Sequence, residues 1–192
     1  MAVATFLSRT PIRAAADAFD AADEQVGFIV GKRSRIPGGW NVPKQLQGLI
    51  WKDGFHSGQL VSHLFDDVAP AIRTWNEEGL DVRIYSSGSV AAQKLFFGHT
   101  VAGDLLALLK GHYDTKTGPK KERDSYIAIA KEFGLPPNEI LFISDVSAEL
   151  EAAKAAGMQV LLSLRPGNHP VDDRDRFSTI SSFDQVNLVS NS

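Results

Sequence analysis

Three stretches of the chain carry residue types and spacings suited to one kind of chemistry. The first is Ser86, Ser87, Gly88 and Ser89, which closes the apolar run Val82–Tyr85 and precedes a helical pattern at Val90, Ala91, Leu95 and Phe96. Small hydroxyl residues and glycine between a strand and a helix suit a phosphate group. Glycine lets the backbone turn sharply, the new helix aims free N–H groups at an anion, and Ser86 and Ser87 add two hydroxyl donors. The competing reading is a plain strand-to-helix turn with serine as the cap. The second stretch is TKTGPKKERDSY, where Lys120 stands ahead of a helix and can set a point charge against a phosphate. Its neighbour Lys121 competes for that role, and either could be a solvated helix-start lysine. The third is Asp145, which ends the apolar run Ile140–Ser144 and offers a hard oxygen ligand for magnesium. Its competing role is to cap the helix beginning near Ser147. Hydroxyls, a lysine and a metal-holding carboxylate are what phosphoryl chemistry asks for, because its charge spreads over the transferring oxygens and must be neutralised. Glu149, one turn after Asp145, either supports the metal from behind or faces solvent.

The elements that must position these residues alternate. Phe65–Glu78 reads as a helix with Phe65, Val68, Ile72 and Trp75 on one face, Gly79 past its end and Leu80 folding back onto the last turn. The strand Val82–Ser86, the helix Val90–Phe96, a short apolar piece at Leu105–Leu109 and a loop over Gly111–Pro119 follow. Then come the helix Lys121–Phe133, the strand Ile140–Ser144, the helix Ala148–Ala156 and the strand Gln159–Leu162. An Arg165-Pro166-Gly167-Asn168 turn leads through charged loop to an edge strand at Ile180–Phe183. Such alternation predicts a parallel α/β sheet with right-handed crossovers, and ligands beyond the carboxyl ends of its strands. Ser87, Lys120 and Asp145 fall at or near such ends. Upstream, Thr10–Glu24 reads as a weak helix with Pro11 in its first turn, and Gln25–Val30 as a short apolar run. Gly31–Asn41 reads as a basic loop, and Lys44–Trp51 as an amphipathic helical face that turns by Gly58.

Composition narrows the function classes. The chain has 192 residues, 43% hydrophobic and 22% charged, which is enough for one ordinary domain and a small appendage. Its net charge of −3 gives no electrostatic case for nucleic acid or an anionic membrane surface. The absence of cysteine rules out disulfides, thiolate metal sites and a cysteine nucleophile, and fits a cytoplasmic protein. No apolar run reaches the roughly 18 residues of a membrane span. The first residues, with Arg9 and Arg13, resemble a targeting peptide, but the apolar run is too short for a secretory signal. His56, His63, His99, His112 and His169 show no zinc-type pairing and read as surface or loop residues.

A Ser/Thr after one strand, a Lys at a helix start and an Asp after a further strand follow the order of the haloacid dehalogenase-like phosphatases. The wording is closer to one branch. YSSGSVAAQKLFFGHT, GHYDTKTGPKKERDSY, ILFISDVSAELEAAKAAGM and RPGN resemble the enolase-phosphatases, or acireductone synthases, of methionine salvage, and QLQGLIWKDGFHSG resembles their cap segment. The resemblance spans about Lys44 to Phe183. It implies a three-layer haloacid dehalogenase-like fold, with residues 1–43 divergent, 44–62 a remnant of the helical cap and 63–187 the phosphatase-like core. It implies a monomeric, cytoplasmic enzyme that acts on a small phosphorylated substrate with one Mg2+. Ser86, Ser87 and Lys120 would hold substrate and Asp145 the magnesium. The reaction it implies is enolisation and dephosphorylation of 2,3-diketo-5-methylthiopentyl-1-phosphate. That reaction needs a nucleophilic Asp and an acid/base carboxylate, which the family carries in an Asp-x-Glu-Gly-Thr motif after its first strand. No such motif stands in residues 1–43: Asp17, Asp20 and Asp23 lie in an Ala-rich stretch. The chain as given is therefore expected to be inactive. The alternative is a non-catalytic phosphate- or partner-binding remnant of the same fold.

The resemblance implies that the missing first strand belongs at the centre of the sheet, between the strands that end at Ser86 and Ser144. Each buried unpaired backbone group costs about 1–3 kcal/mol, against a total stability of about 5–15 kcal/mol, so that slot must be filled or closed. Gln25–Val30 is expected to fill it, which would bring Lys32, Arg33 and Arg35 to the position of the nucleophile. The alternative is direct pairing of the two flanking strands.

Overall fold

The computed structural model describes residues 3–8, 12–13, 53–168, 171 and 174–188. Its main sheet has six strands: β1 (Val3–Ser8), β3 (Asp81–Ser86), β4 (Leu109–Tyr113), β5 (Ile140–Ser144), β6 (Gln159–Ser163) and β7 (Thr179–Ile180), in the order β4-β3-β1-β5-β6-β7. A second sheet pairs β2 (Ile12–Arg13) with β8 (Asn187–Leu188). Among the described residues, the helices α1 (Val68–Glu77), α2 (Val90–Gly98), α3 (Arg123–Phe133) and α4 (Ser147–Ala155) lie between these strands. Neighbours β3–β4, β5–β6 and β6–β7 run parallel.

Both faces of the sheet are covered, which is why β5 reads as an unbroken apolar run, buried at every position. Val82, Ile84, Leu141 and Ile143 face one way, against Val68, Ile72 and Trp75 of α1 and Phe96 and Phe97 of α2. Tyr85, Ile140 and Phe142 face the other way, against Tyr126 and Ile129 of α3 and Leu150 and Ala153 of α4. The helix–sheet–helix arrangement is the expected three-layer fold. At the end of α1 the Leu80 amide donates to the Trp75 carbonyl at 2.8 Å and the Gly79 amide to Asn76 at 3.0 Å, with Gly79 at φ 80°. That is the fold-back expected of Gly79-Leu80.

The central slot is filled, but not by the expected segment. Val3–Ser8 pairs with β3 on one side, Val3 opposite Ser86, and with β5 on the other, Thr5 opposite Ile143. The assignment of Gln25–Val30 to the slot is corrected; those residues, with Lys32, Arg33 and Arg35, lie outside the described residues. Direct pairing of β3 with β5 is corrected as well. The strand β1 runs antiparallel to both neighbours, so the sheet is mixed rather than wholly parallel. Antiparallel pairing satisfies the same backbone groups as parallel pairing, so closing the slot does not fix the direction of the strand that closes it. The core sheet thus takes one strand from within residues 1–43. Ile12–Arg13, expected within a helix from Thr10, is strand instead; residues 14–24 and the helical face at 44–51 lie outside the described residues.

Smaller differences have local causes. Gly111–Tyr113, expected as loop, belongs to β4, an edge strand whose middle residues are exposed or half-buried and so show no apolar pattern. Residues 53–56 are helical before the turn that ends at Gly58, φ 71°. The edge strand expected at Ile180–Phe183 is Thr179–Ile180, and Phe183 already belongs to a short 3-10 turn capped by Ser182.

Candidate functional site

The strands β3, β4, β5 and β6 point the same way, so the residues after their last positions gather on one edge of the sheet. Ser86 ends β3, Asp114 follows β4, Asp145 follows β5 and the Arg165–Asn168 turn follows β6. With one strand between them, β3 and β5 lie roughly 10 Å apart, twice the interstrand spacing. The reversed strand β1 brings its Val3 end to this same edge, beside Ser86.

At the end of β3, Ser86 is fully buried and its Oγ accepts the Gly88 amide at 3.0 Å, leaving its own proton to donate. Ser87 is exposed at the rim. Ser89 is the cap of α2 and accepts the Ala92 amide at 3.2 Å. The expectation that α2 aims free amides at an anion is corrected in part. Besides the Ala92 amide, the Val90 amide is taken at 3.2 Å by Asp114, whose other oxygen accepts the Lys116 amide at 2.9 Å. Asp114 is 7% exposed. Sequence reasoning passed over it, because the polar edge strand before Asp114 shows no apolar run like the one that marks Asp145. Gln93, fully buried, ties the Ser86–Gly88 turn to β4. Its Nε2 donates to the Gly88 carbonyl at 3.0 Å and the Tyr113 carbonyl at 2.8 Å, while its Oε1 accepts from His112 Nδ1 at 3.1 Å. Burial, with Lys94 nearby, pushes the His112 imidazole below its ordinary range. Histidines 56 and 63 are exposed, and His99 is half-buried with Nδ1 2.9 Å from the Leu95 carbonyl; His169 lies outside the described residues.

Lys120 is 7% exposed, and Lys121 faces solvent. The backbone that delivers Lys120 is pinned by three hydroxyls in succession. Tyr85 donates to the Gly118 carbonyl at 2.8 Å, Ser125 to Pro119 at 2.8 Å and Tyr126 to Lys120 at 2.5 Å. Gly118 sits at φ 154°, and a Cβ there would meet Ser125 Oγ at 2.1 Å, so the position takes glycine. Lys120 Nζ lies 2.6 Å from Glu149 Oε2, an oxygen that also accepts from Ser144 Oγ at 2.9 Å. Glu149 is 5% exposed, which corrects its reading as a solvated residue. Burial pushes its carboxyl up, Lys120 and Ser144 pull it partly back, and the charge of Asp145 adds to the rise.

Asp145 is 7% exposed and its Oδ2 accepts from Asn168 Nδ2 at 2.8 Å. The alternative role of capping α4 is not taken: the cap position is Val146, and no side chain caps the helix. The structure thus joins Lys120, Glu149, Ser144, Asp145 and Asn168 across the end of β5, with Ser86 and Ser87 two strands away. Among the described residues, no three His, Cys, Asp or Glu side chains form a metal cage. Asp145 fits a magnesium ion as a single hard carboxylate, the kind of ligand set that Mg2+ completes with water and phosphate.

Behind this edge lies a second buried pair. Arg165 donates through Nη1 to Asp67 Oδ1 at 2.9 Å and through Nη2 to Asp67 Oδ2. Asp67 Oδ2 also accepts the Phe183 amide at 2.6 Å. Burial alone would raise the Asp67 carboxyl, but the Arg165 hydrogen bonds and charge, with the Phe183 amide, outweigh it and hold the group below the ordinary carboxylate range.

Comparison with known proteins bears on the fold and the family. A family model described as haloacid dehalogenase-like hydrolase matches residues 40–157. The enolase-phosphatase E1 of Aquifex aeolicus is 54% identical over 145 residues, 76% of this chain and 64% of the relative. That of Danio rerio is 47% identical over 150 residues, 77% of this chain and 58% of the relative. The chain therefore spans less than two thirds of the length of these curated relatives. The crystal structure of the UTR4 protein of Saccharomyces cerevisiae superposes with a TM-score of 0.67 at 34% identity, covering 86% of this chain and 74% of that one. A dehalogenase at 21% identity and TM-score 0.56 shares the fold.

Proposed function

The chain belongs to the haloacid dehalogenase-like hydrolases, and on that premise we propose that it carries the phosphate- and metal-holding part of an enolase-phosphatase site without the nucleophile. In this reading Ser86 and Ser87 donate to the phosphate of a small substrate, and Lys120 sets its charge against it. Asp145 holds one Mg2+, with water, phosphate or residues outside the described set completing the coordination. The metal, when bound, would neutralise phosphate charge. The substrate we propose is the one that the enolase-phosphatase resemblance implies, 2,3-diketo-5-methylthiopentyl-1-phosphate of methionine salvage. The same reading makes the chain a cytoplasmic monomer with no nucleic-acid or membrane partner. Among the described residues no helix is long and apolar enough to cross a membrane.

The observation that carries the reading is the buried Lys120–Glu149–Ser144 array at the end of β5, on the same sheet edge as Ser86 and Ser87, with one strand between β5 and β3. The nucleophile would come from the end of that intervening strand if the strand ran parallel to β3 and β5. Here the strand runs the other way, and Ser8, its carboxyl end, lies opposite Asp81 at the far edge of the sheet. Among the described residues, no carboxylate on that strand stands ready to start hydrolysis through an aspartyl-phosphate, whereas the proposed phosphate donors Ser86, Ser87 and Lys120 are present. Calorimetric titration with orthophosphate in the presence of Mg2+ tests this. Binding that is lost in Lys120→Ala supports the reading, and equal affinity in the variant refutes it.

A further inference from the structure

The RPGN turn is fully employed, and its last residue reaches the site. The Asn168 amide donates to the Arg165 carbonyl at 3.1 Å, and Gly167 has φ 96°. Pro166 and Gly167 thus hold the second and third places of a type II turn, which favour proline and a residue with positive φ. The turn brings the Asn168 side chain between two partners. Its Oδ1 accepts the Arg165 amide at 2.5 Å, and its Nδ2 donates to Asp145 Oδ2 at 2.8 Å. Flipping the amide would set its NH2 against an N–H and its oxygen against a carboxylate, so both partners enforce one orientation. The turn is held from below by the Arg165 side chain, which is 6% exposed. It grips Asp67 with both terminal nitrogens and lies over the rings of Phe65 at 4.8 Å and Phe183 at 5.5 Å.

We propose that Asn168 is a positioning residue that orients the Asp145 carboxylate, and that the Asp67–Arg165 pair is the strut that holds its turn in place. The proposal deepens the reading of Asp145 as the metal position and rests on it for its consequence: the chain's affinity for a divalent ion depends on Asn168. Hydrogen-bonded partners of metal-holding carboxylates act in this way, fixing which oxygen faces the ion.

The test titrates the full chain with Mn2+, follows free Mn2+ by electron paramagnetic resonance and uses Mg2+ as competitor. Asn168→Ala is expected to weaken Mn2+ binding by about tenfold or more, and Asp145→Asn to abolish it. A second measurement needs no metal: the Asn168 side-chain NH2 resonances in 15N NMR spectra. One of these protons is expected to be shifted and protected from exchange, and to lose both properties in Asp145→Ala. Wild-type Mn2+ affinity in Asn168→Ala, or an Asn168 signature indifferent to Asp145, overturns the proposal. If the unaltered chain takes up no Mn2+ while the signature does depend on Asp145, the metal reading of Asp145 fails and its orientation by Asn168 stands.

Discussion

Lys120–Glu149 and Arg165–Asp67 are both buried ion pairs, with side chains 6–7% and 6–11% exposed, yet they are built for different tasks. In the second pair, a planar guanidinium meets both carboxylate oxygens, the Phe183 amide adds a third donor, and two aromatic rings flank the cation. Arginine keeps its charge at any accessible pH, and Asp67 is held ionised to below the ordinary carboxylate range, so the pair stays charged until strong acid. In the first pair, a flexible ammonium meets Glu149 through Oε2, on a carboxylate whose affinity for protons burial has raised. Lysine has three donors, so Lys120 can keep Glu149 and still offer a proton to a phosphate. Glu149 can also take up a proton if Lys120 turns away. The fixed pair braces the fold, and the adaptable one stands at the site.

Mutations that break each pair should therefore differ in kind. Arg165→Met strands an ionised Asp67 under the sheet edge and is expected to cost about 3–5 kcal/mol, read as a lower midpoint in urea unfolding with unchanged slope. Lys120→Ala leaves Glu149 able to protonate, so its cost is expected to be smaller, about 1–3 kcal/mol, while orthophosphate binding disappears. Equal destabilisation by the two changes would erase the distinction.

Acid and base should separate the pairs as well. The folded pKa of Asp67 lies below its ordinary value of 3.8. Its stabilisation is complete above that value and is lost as pH falls through the folded pKa. The folded pKa of Glu149 lies above its ordinary value of 4.5. The folded state therefore binds that proton more tightly than the unfolded one, and stability declines as pH rises from 4.5 through the folded pKa. Glu149→Gln should flatten the decline above pH 4.5, and Asp67→Asn the loss below pH 3.8, each measured by thermal melts across pH. The smallest expected effect is that of Ser87→Ala. It lies on the exposed rim, so stability should change by no more than about 0.5 kcal/mol. Loss of one charge-assisted hydrogen bond of about 1.5 kcal/mol should still weaken orthophosphate roughly tenfold.

Much of this was legible in the residues. The strand Ile140–Ser144 announced itself because both of its faces are buried, and Gly79 and Gly134 marked helix ends through positive φ. Lys120 and Asp145 were readable because each stands at a change of local pattern, apolar strand to polar loop or loop to helix. Three features were not. The direction of β1 depends on its two neighbours, and neither strand order nor direction is written in Val3–Ser8 itself. The strand β4 is polar because it lies at the edge. Asp114 and Asn168 owe their place to contacts across 24 and 23 residues, with Val90 and Asp145 respectively, which no local spacing encodes.

On the proposed function, this chain holds a phosphate without cleaving its ester. Hydrolysis of p-nitrophenyl phosphate by the purified 192-residue protein, with and without Mg2+, tests it most directly. Loss of a covalent nucleophile removes several orders of magnitude of rate, so the account predicts no Mg2+-dependent release above buffer. Mg2+-dependent turnover that vanishes in Asp145→Asn would contradict it.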